Sequence, residues 1–185
     1  WECPNYFPPE GEDGYETPSW RRSNAFKHVD NECKHAMNHV GIIDLTRFAK
    51  AKITGPGAKE WLNKMTCQKV PEIDGRIALS PMLDHNGNFK SDMTITRVNE
   101  NEFFCVTASV GKKHDQHWMT LNLPGDGSVC MEDVTYKMGC LVLVGPDSRK
   151  VLEKIVYNDV SNDAFKFSTS QEIYVSRAKC RINRM

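Results

Sequence analysis

The stretch "ITGPGAKEWLNKM", residues 53–65, contains a strand pattern, a Gly-Pro turn and a helix pattern in direct succession. Pro56 suits the first turn of a helix, because the N–H that proline lacks would have no partner there. Behind the turn, apolar residues recur at helical spacing and predict one buried helix face. That face would carry Ala58, Trp61, Leu62 and Met65. The stretch therefore predicts a strand-turn-helix unit whose helix packs against a neighbouring layer.

A second copy of this pattern occurs later in the chain. The stretch "LVGPDSRKVLEKI", residues 143–155, aligns with the first copy without a gap. Gly145 then matches Gly55, and Pro146 matches Pro56. Each unit of such a repeat needs a neighbour to cover its apolar face. The repeat therefore predicts two related strand-turn-helix units, and the buried helix face of the second would carry Ser148, Val151, Leu152 and Ile155.

Strand patterns outnumber helix patterns in the rest of the chain. A helix is expected to begin with Asp30 as its N-cap and to end at Gly41, and another is expected near residues 111–121. After residue 155 the pattern predicts two more strands. The remaining predicted strands are residues 42–46, 49–54, 89–98 and 102–108. Hairpins beside strand-helix units predict an α+β fold.

The segment "DHNGNFKSDMTITRV", residues 84–98, predicts a hairpin turn followed by a strand. Asn86-Gly87 favours a two-residue turn in which both central positions have positive φ. One strand face would carry Phe89, Ser91, Met93 and Ile95, and the other Lys90, Asp92, Thr94 and Thr96. A carboxylate on a threonine-rich face either contacts water or lines a cavity. The pattern alone leaves both interpretations of Asp92 open.

Charge and residue spacing argue against several classes of function. The chain has 24 basic and 24 acidic residues and no long apolar run, so neither nucleic acid nor a membrane is an expected partner. Seven cysteines without a C-x-x-C pair predict reduced, partly buried thiols of an intracellular protein. The pairs His35/His39 and His114/His117 have no clear third ligand, so we predict no metal site. Glu60 replaces the third glycine of a dinucleotide fingerprint, which argues against a nucleotide fold.

Several segments, in order along the chain, resemble one known family. They are "WECPNYF", "SWRRSNAF", "VGIIDLTRFAKAKITGPGAKEWLNKM", "GRIALSPMLDHNGNFKSDMTITRV", "LVGPDSRKVLEKI" and "VSNDAFKF". Together they resemble the tetrahydrofolate-binding portion of dimethylglycine and sarcosine dehydrogenases, which is related to the aminomethyltransferase, or T-protein, of the glycine cleavage system. The first and last segments favour the dehydrogenase branch. The resemblance implies a T-protein-like folate-binding fold.

The resemblance also implies a site at which tetrahydrofolate receives a one-carbon unit. Asp92 matches the family's acidic residue beside the folate amine nitrogens. The amine must lose a proton as it attacks an electrophilic carbon, and a positioned carboxylate can accept that proton or stabilise the developing cation. The other implied folate-binding positions are Leu79, where relatives often have a Tyr, Phe48 at an apolar wall position, and Thr96 and Thr107 at polar wall positions.

By the same resemblance, this chain would be part of a larger enzyme. Residues 1–22 would be an extended connector from a flavin domain, with FAD bound upstream of Trp1. Residues 23–185 would be a partial tetrahydrofolate-binding domain, truncated before the family's later Gly-Glu motif. Oxidation of a methylated amine and binding of protein partners would belong to the missing segments. The implied location is the mitochondrial matrix in a eukaryote and the cytoplasm in a bacterium.

Two other functions remain open at this point. A non-catalytic interaction or regulatory subunit could retain the same fold, and the Leu at position 79 together with the short chain favours that alternative. The third possibility is a free-standing one-carbon transferase that acts on a different methylated substrate. A flavin fingerprint upstream of residue 1 would favour the dehydrogenase over the regulatory subunit.

Overall fold

A computed structural model describes residues 4–185, which form two compact units. The smaller unit comprises the chain up to Asp44 together with Leu141–Lys154, and the larger comprises Leu45–Cys140 and Ile155–Met185. Both contain helices and strands, in agreement with the predicted α+β class. None of the helices in the described range is long and apolar enough to cross a bilayer.

Four helices and nine strands make up the regular structure of residues 4–185. In chain order they are α1 (Phe26–Asn38), β1 (Gly41–Asp44), β2 (Ala49–Thr54), α2 (Ala58–Met65), β3 (Ile77–Leu83), β4 (Phe89–Asn99), β5 (Glu102–Thr107), α3 (Lys112–Leu121), β6 (Cys130–Asp133), β7 (Leu141–Val144), α4 (Ser148–Leu152), β8 (Thr169–Val175) and β9 (Ala178–Arg184). Two short 3-10 helices flank α3 and β6. Residues 4–22 contain no helix or strand; that they connect to another domain stays a prediction.

The larger unit contains an antiparallel sheet with the strand order β3-β4-β5-β2-β6. One face of this sheet packs against α2 and α3 to form the core. The predicted buried stripe of α2 is confirmed, since Ala58, Trp61, Leu62 and Met65 are all buried. The Trp61 indole N–H also donates to the carbonyl of Asn122, just beyond α3, at 2.7 Å. Strands β8 and β9 form a separate antiparallel hairpin in the same unit.

The predicted free thiols are confirmed for the six cysteines among residues 4–185, while Cys3 lies outside the described residues. Their burial differs from the expectation, because Cys33, Cys67 and Cys130 are exposed. Cys105 is enclosed in the core, where burial raises the pKa of its thiol to about 12. That thiol therefore stays protonated and unreactive at neutral pH.

In the smaller unit, β1 and β7 form a two-stranded antiparallel sheet beside α1. The predicted start of α1 is wrong: the helix begins at Phe26, with Ala25 as its N-cap and no capping side chain. Backbone hydrogen bonds from Phe26 to Ser23 and from His28 to Ala25 start the helix instead. Asp30 lies inside α1, where its carboxylate accepts from the Lys34 ammonium group at 2.6 Å.

The hairpin between β3 and β4 forms as predicted, but its turn is of another type. The N–H of Asp84 donates to the carbonyl of Asn88 at 2.9 Å, and Gly87 donates back to Asp84 at 3.0 Å. Gly87 has a φ of 81°, whereas the positive φ predicted for Asn86 is wrong. The reason is local: the Asp84 carboxylate accepts the backbone N–H groups of Asn86 and Asn88 and so stabilises a longer loop.

Candidate functional site

The two faces of the five-stranded sheet have different surroundings, and strand alternation assigns each side chain to one of them. On β4, Met93 and Ile95 point into the core under the helices. Asp92, Thr94 and Thr96 point to the opposite side, which we call the Asp92 face. The predicted alternation is therefore confirmed for this part of β4. It places Asp92 on the side of the sheet that faces away from α2 and α3.

Asp92 is exposed and lies opposite Pro81 of β3. Among residues 4–185, no side chain or backbone group forms a hydrogen bond or ion pair with the Asp92 carboxylate. Leu79 lies opposite Thr94 and is 57 % exposed, so it is a diagonal neighbour of Asp92 on the same face. An unpaired carboxylate and an exposed apolar side chain therefore stand together at this edge of the sheet.

Thr96 lies on the Asp92 face between Ile77 of β3 and Phe104 of β5. It is fully buried, and its Oγ1 atom has no hydrogen-bond partner within the described part of the chain. An unpaired buried hydroxyl costs free energy and calls for a reason, such as a role in binding. The Asp92 face thus presents a free carboxylate and an apolar side chain to solvent, with an unpaired hydroxyl enclosed on the same face.

Thr107 lies on the other side of the sheet. Its register partners are Met93 of β4 and Ala49 of β2, so it shares the core face with them and not the Asp92 face. There it lines a cavity of about 10 Å³ beside Cys105 and Met119. Such a cavity holds about one water molecule, far less than a pterin ring needs.

Phe48 precedes β2 and is half-buried. Its carbonyl accepts from the Lys50 ammonium group at 2.8 Å, and the carbonyl of Thr46 accepts from the same group at 2.7 Å. Lys50 is itself fully buried, in register with Val106 on the Asp92 face. The alternation in "AKAKIT" places Lys50 on that face, but only the structure shows that its ammonium group holds the segment before β2.

The structure thus brings Asp92, Leu79 and Thr96 onto one face, leaves Thr107 on the other and places Phe48 in the preceding segment. Within residues 4–185, no group of three or more His, Cys, Asp or Glu side chains is placed to hold a metal ion. The ring centroids of His35 and His39 lie 4.9 Å apart, and Nδ1 of His39 lies 3.6 Å from Oδ2 of Asp147.

The GCVT N-terminal domain model matches residues 1–185. The chain belongs to this family. It is 33% identical to mitochondrial dimethylglycine dehydrogenase of Rattus norvegicus over 177 residues, which cover 95% of this chain and 20% of that protein. It is 30% identical to the mitochondrial pyruvate dehydrogenase phosphatase regulatory subunit of Mus musculus, with 96% of this chain and 21% of that protein covered. The chain therefore spans about a fifth of the length of these curated relatives.

A solved structure supports the fold assignment. The glycine cleavage system aminomethyltransferase T from Bartonella henselae superimposes with a TM-score of 0.66 at 20% sequence identity. The match covers 78% of this chain and 39% of that chain. This match confirms the T-protein-like fold that the sequence motifs predict.

Proposed function

We propose that the Asp92 face binds tetrahydrofolate and that Asp92 acts in the transfer of a one-carbon unit to it. The observation that carries the proposal is the exposed, unpaired Asp92 carboxylate beside Leu79, in a chain of the GCVT family. The chain would form the folate-binding part of a dimethylglycine or sarcosine-type dehydrogenase. The similarity to dimethylglycine dehydrogenase supports this choice.

Two exposed side chains would contact the folate directly. Leu79 would pack against the flat ring and Asp92 would stand beside the amine, while the buried hydroxyl of Thr96 would reach the ligand only if the side chains over it move. Tetrahydrofolate, when bound, supplies the amine that captures the one-carbon unit. The Asp92 carboxylate accepts the proton that the amine loses as its new bond to carbon forms, or it stabilises the cation until the proton leaves.

The rest of the reaction would take place outside residues 1–185. Oxidation of the methylated amine, with FAD as the electron acceptor, would belong to another part of the protein, because no dinucleotide fingerprint occurs in this sequence. The dimethylglycine dehydrogenases it resembles are mitochondrial, so the mitochondrial matrix is the proposed location in a eukaryote.

The second candidate is a non-catalytic regulatory subunit with the same fold. The 30% identity to the pyruvate dehydrogenase phosphatase regulatory subunit favours it. Leu79 also favours it, because a leucine packs on a ring but cannot donate a hydrogen bond to it. The two candidates differ in whether folate binds and whether Asp92 is needed.

The deciding experiment compares Asp92→Asn with Glu102→Gln in the complete protein. Glu102 is the matched control, since it is a carboxylate on the same sheet face that already pairs with the Lys52 ammonium group at 3.0 Å. We expect Asp92→Asn to fold normally and to lower one-carbon capture by roughly 10²-fold or more, and Glu102→Gln to leave capture unchanged. The rate of methylene-tetrahydrofolate formation measures this.

Two results would contradict the proposal. Equal capture by Asp92→Asn and the wild type would remove Asp92 from the mechanism. Calorimetry that detects no tetrahydrofolate binding near 1 mM, which corresponds to a free energy weaker than about −4 kcal/mol, would favour the regulatory subunit instead.

A further inference from the structure

A buried polar contact lies directly behind Asp92, on the core side of β4. Ser91 precedes Asp92 and donates its hydroxyl to the Oδ2 atom of Asp115 at 2.7 Å. Both side chains are buried, with 7 % of Ser91 and 1 % of Asp115 exposed. The contact joins the strand that carries Asp92 to the first turn of α3. It is separate from the Asp92 face and has no part in the chemistry described above.

Two features of the structure accommodate the Asp115 side chain at this depth. The helix dipole at the N-terminus of α3 stabilises negative charge in the first turn. The glycine at position 111 leaves space for the Asp115 carboxylate, because a Cβ atom at that position would lie 3.1 Å from Asp115 Oδ2. A buried carboxylate is costly without such support. The Ser91 contact is therefore part of a fixed arrangement and not a chance approach.

A β-bulge lies at the same point of β4. Met82 of β3 pairs with Ser91, but Leu83 pairs with Phe89, so Lys90 is an extra residue. The Lys90 ammonium nitrogen lies 3.4 Å from Nε2 of His114, the neighbour of Asp115 on α3. A bulge bends a strand and changes the direction of the side chains that follow. It explains why Phe89 is 62 % exposed, against the predicted alternation.

We infer that Asp115 is a positioning residue that, through Ser91, holds β4 just after the bulge and so fixes the direction of the Asp92 carboxylate. The catalytic part of this inference rests on the proposed function of Asp92. Of the two residues next to Asp92 in the chain, Ser91 is the one that forms a hydrogen bond to α3, whereas Met93 packs in the core by apolar contact. Without that contact the bulged segment is free to shift, and a displacement of about 1 Å at a reacting group can cost about 10²-fold in rate.

A purely structural role is the competing explanation, and a matched serine separates the two. Ser80 of β3 is also fully buried on the core face, and its hydroxyl oxygen accepts from the N–H of Gln68 at 2.7 Å. Ser80 pairs with Met93, so its contact does not adjoin Asp92 along the chain. Ser80→Ala should destabilise the protein much as Ser91→Ala does. Only Ser91→Ala should affect Asp92.

The first measurement is the side-chain conformation of Asp92 in solution, read from NMR three-bond couplings to its carboxyl carbon. We expect one χ1 rotamer in the wild type, in Ser80→Ala and in Asp115→Asn, because the asparagine oxygen can still accept from Ser91. In Ser91→Ala we expect averaged rotamers. An unchanged χ1 in Ser91→Ala would overturn the inference, whatever the protein's function.

The second measurement is a double-mutant comparison of kcat in the complete protein. Ser91→Ala should lower kcat about 10-fold with little change in KM for tetrahydrofolate, and Asp115→Asn should retain most of it. In an Asp92→Asn background, Ser91→Ala should have no further effect. If Ser91→Ala lowers kcat by the same factor in the Asp92→Asn background as in the wild type, the inference is overturned. An Asp92→Asn variant with normal kcat would instead overturn the proposed function, and the couplings would still decide the positioning role.

Discussion

The two copies of the strand-turn-helix repeat share a backbone turn and differ in the burial of the helix that follows. In the first copy, Gly55 has a φ of 119° and its carbonyl accepts from Ala58 at 3.1 Å. The N–H of Gly57 then donates to the carbonyl of Ser128, in the segment before β6, at 3.1 Å. The turn is thus held both by its own hydrogen bond and by a second segment of the chain.

The second copy repeats these contacts position by position. Gly145 has a φ of 110°, and its carbonyl accepts from Ser148 at 3.1 Å. Asp147, which matches Gly57, donates its N–H to the carbonyl of His39 at 2.9 Å. The same local sequence therefore forms the same turn in two different surroundings.

The helices after the two turns differ. Helix α2 runs from Ala58 to Met65 and buries four side chains, whereas α4 runs only from Ser148 to Leu152 and buries none completely. The buried face predicted for the second copy is therefore wrong. The glycine and proline of the repeat determine the turn, because φ near 110° is open mainly to glycine. The length and stability of the helix depend instead on what packs against it. The two copies are thus similar in the backbone of their turns and different in the packing of the helices that follow.

The largest expected difference between the copies is the effect of shortening a matched leucine. Leu62 is fully buried in the core, so Leu62→Ala should destabilise the larger unit by about 2–5 kcal/mol. Leu152 is only half-buried, and Leu152→Ala should cost about 1 kcal/mol. Urea unfolding, followed by amide hydrogen exchange, measures the free energy of unfolding of each unit, with β5 reporting on the larger unit and β7 on the smaller. Equal losses in the two copies would mean that α4 is packed more tightly than the structure shows.

The glycines should respond alike in both copies. A Cβ atom on Gly55 would lie 2.2 Å from the carbonyl oxygen of Ser128, and one on Gly145 would lie 2.4 Å from that of Ala36. Added to the positive φ, this predicts a loss of about 1–3 kcal/mol for Gly55→Ala and for Gly145→Ala. Gly125→Ala is the control, because nothing lies within 4 Å of its Cβ position. The same hydrogen-exchange measurement would contradict the shared turn if only one variant lost stability.

The fold could be predicted where a signal was local. Strands β2 and β4 and helix α3 follow from periodicity within a few residues of their observed ends. Strand β3 was missed because Pro81 interrupts its pattern, and the structure tolerates Pro81 because β3 is an edge strand. Strand β6 was missed because it is short and polar.

The candidate site shows the same limit. Alternation along β4 places Asp92 opposite the core, but the position of Thr107 depends on its pairing with Met93, which a single strand pattern does not reveal. The contact between Ser91 and Asp115 joins a strand to a helix that is distant in sequence. Only the packing of α3 on the sheet brings these two residues together.

The smallest expected difference is in the stability that two aspartates contribute, Asp133 in the larger unit and Asp147 in the smaller. Burial opposes ionisation of Asp133, but hydrogen bonds from the Lys112 ammonium group and from Thr135 outweigh it, so the pKa of Asp133 is lowered. A carboxyl whose pKa is lower in the folded state than in the unfolded state stabilises the folded protein at pH values above the ordinary pKa of Asp. This stabilisation is lost as the pH falls towards the pKa of the folded state. At pH 7, Asp133→Asn should cost about 1 kcal/mol, since its partial exposure screens the pair, and the difference from wild type should narrow below about pH 4.

Asp147 of the second copy is the comparison for this pH dependence. Lys150 lowers the pKa of Asp147 in the same direction, with a smaller contribution from His39, but the Lys150 side chain is 76 % exposed, whereas that of Lys112 is 15 % exposed, so water and salt screen the Asp147 pair more strongly. Asp147→Asn should therefore change the stability of the smaller unit far less than Asp133→Asn changes that of the larger. Urea unfolding of both variants at pH 7 and pH 3 measures this. A large loss for Asp147→Asn at pH 7 would show that the turn of the second copy depends on its charge, and the backbone similarity between the copies would then conceal a difference in what holds them.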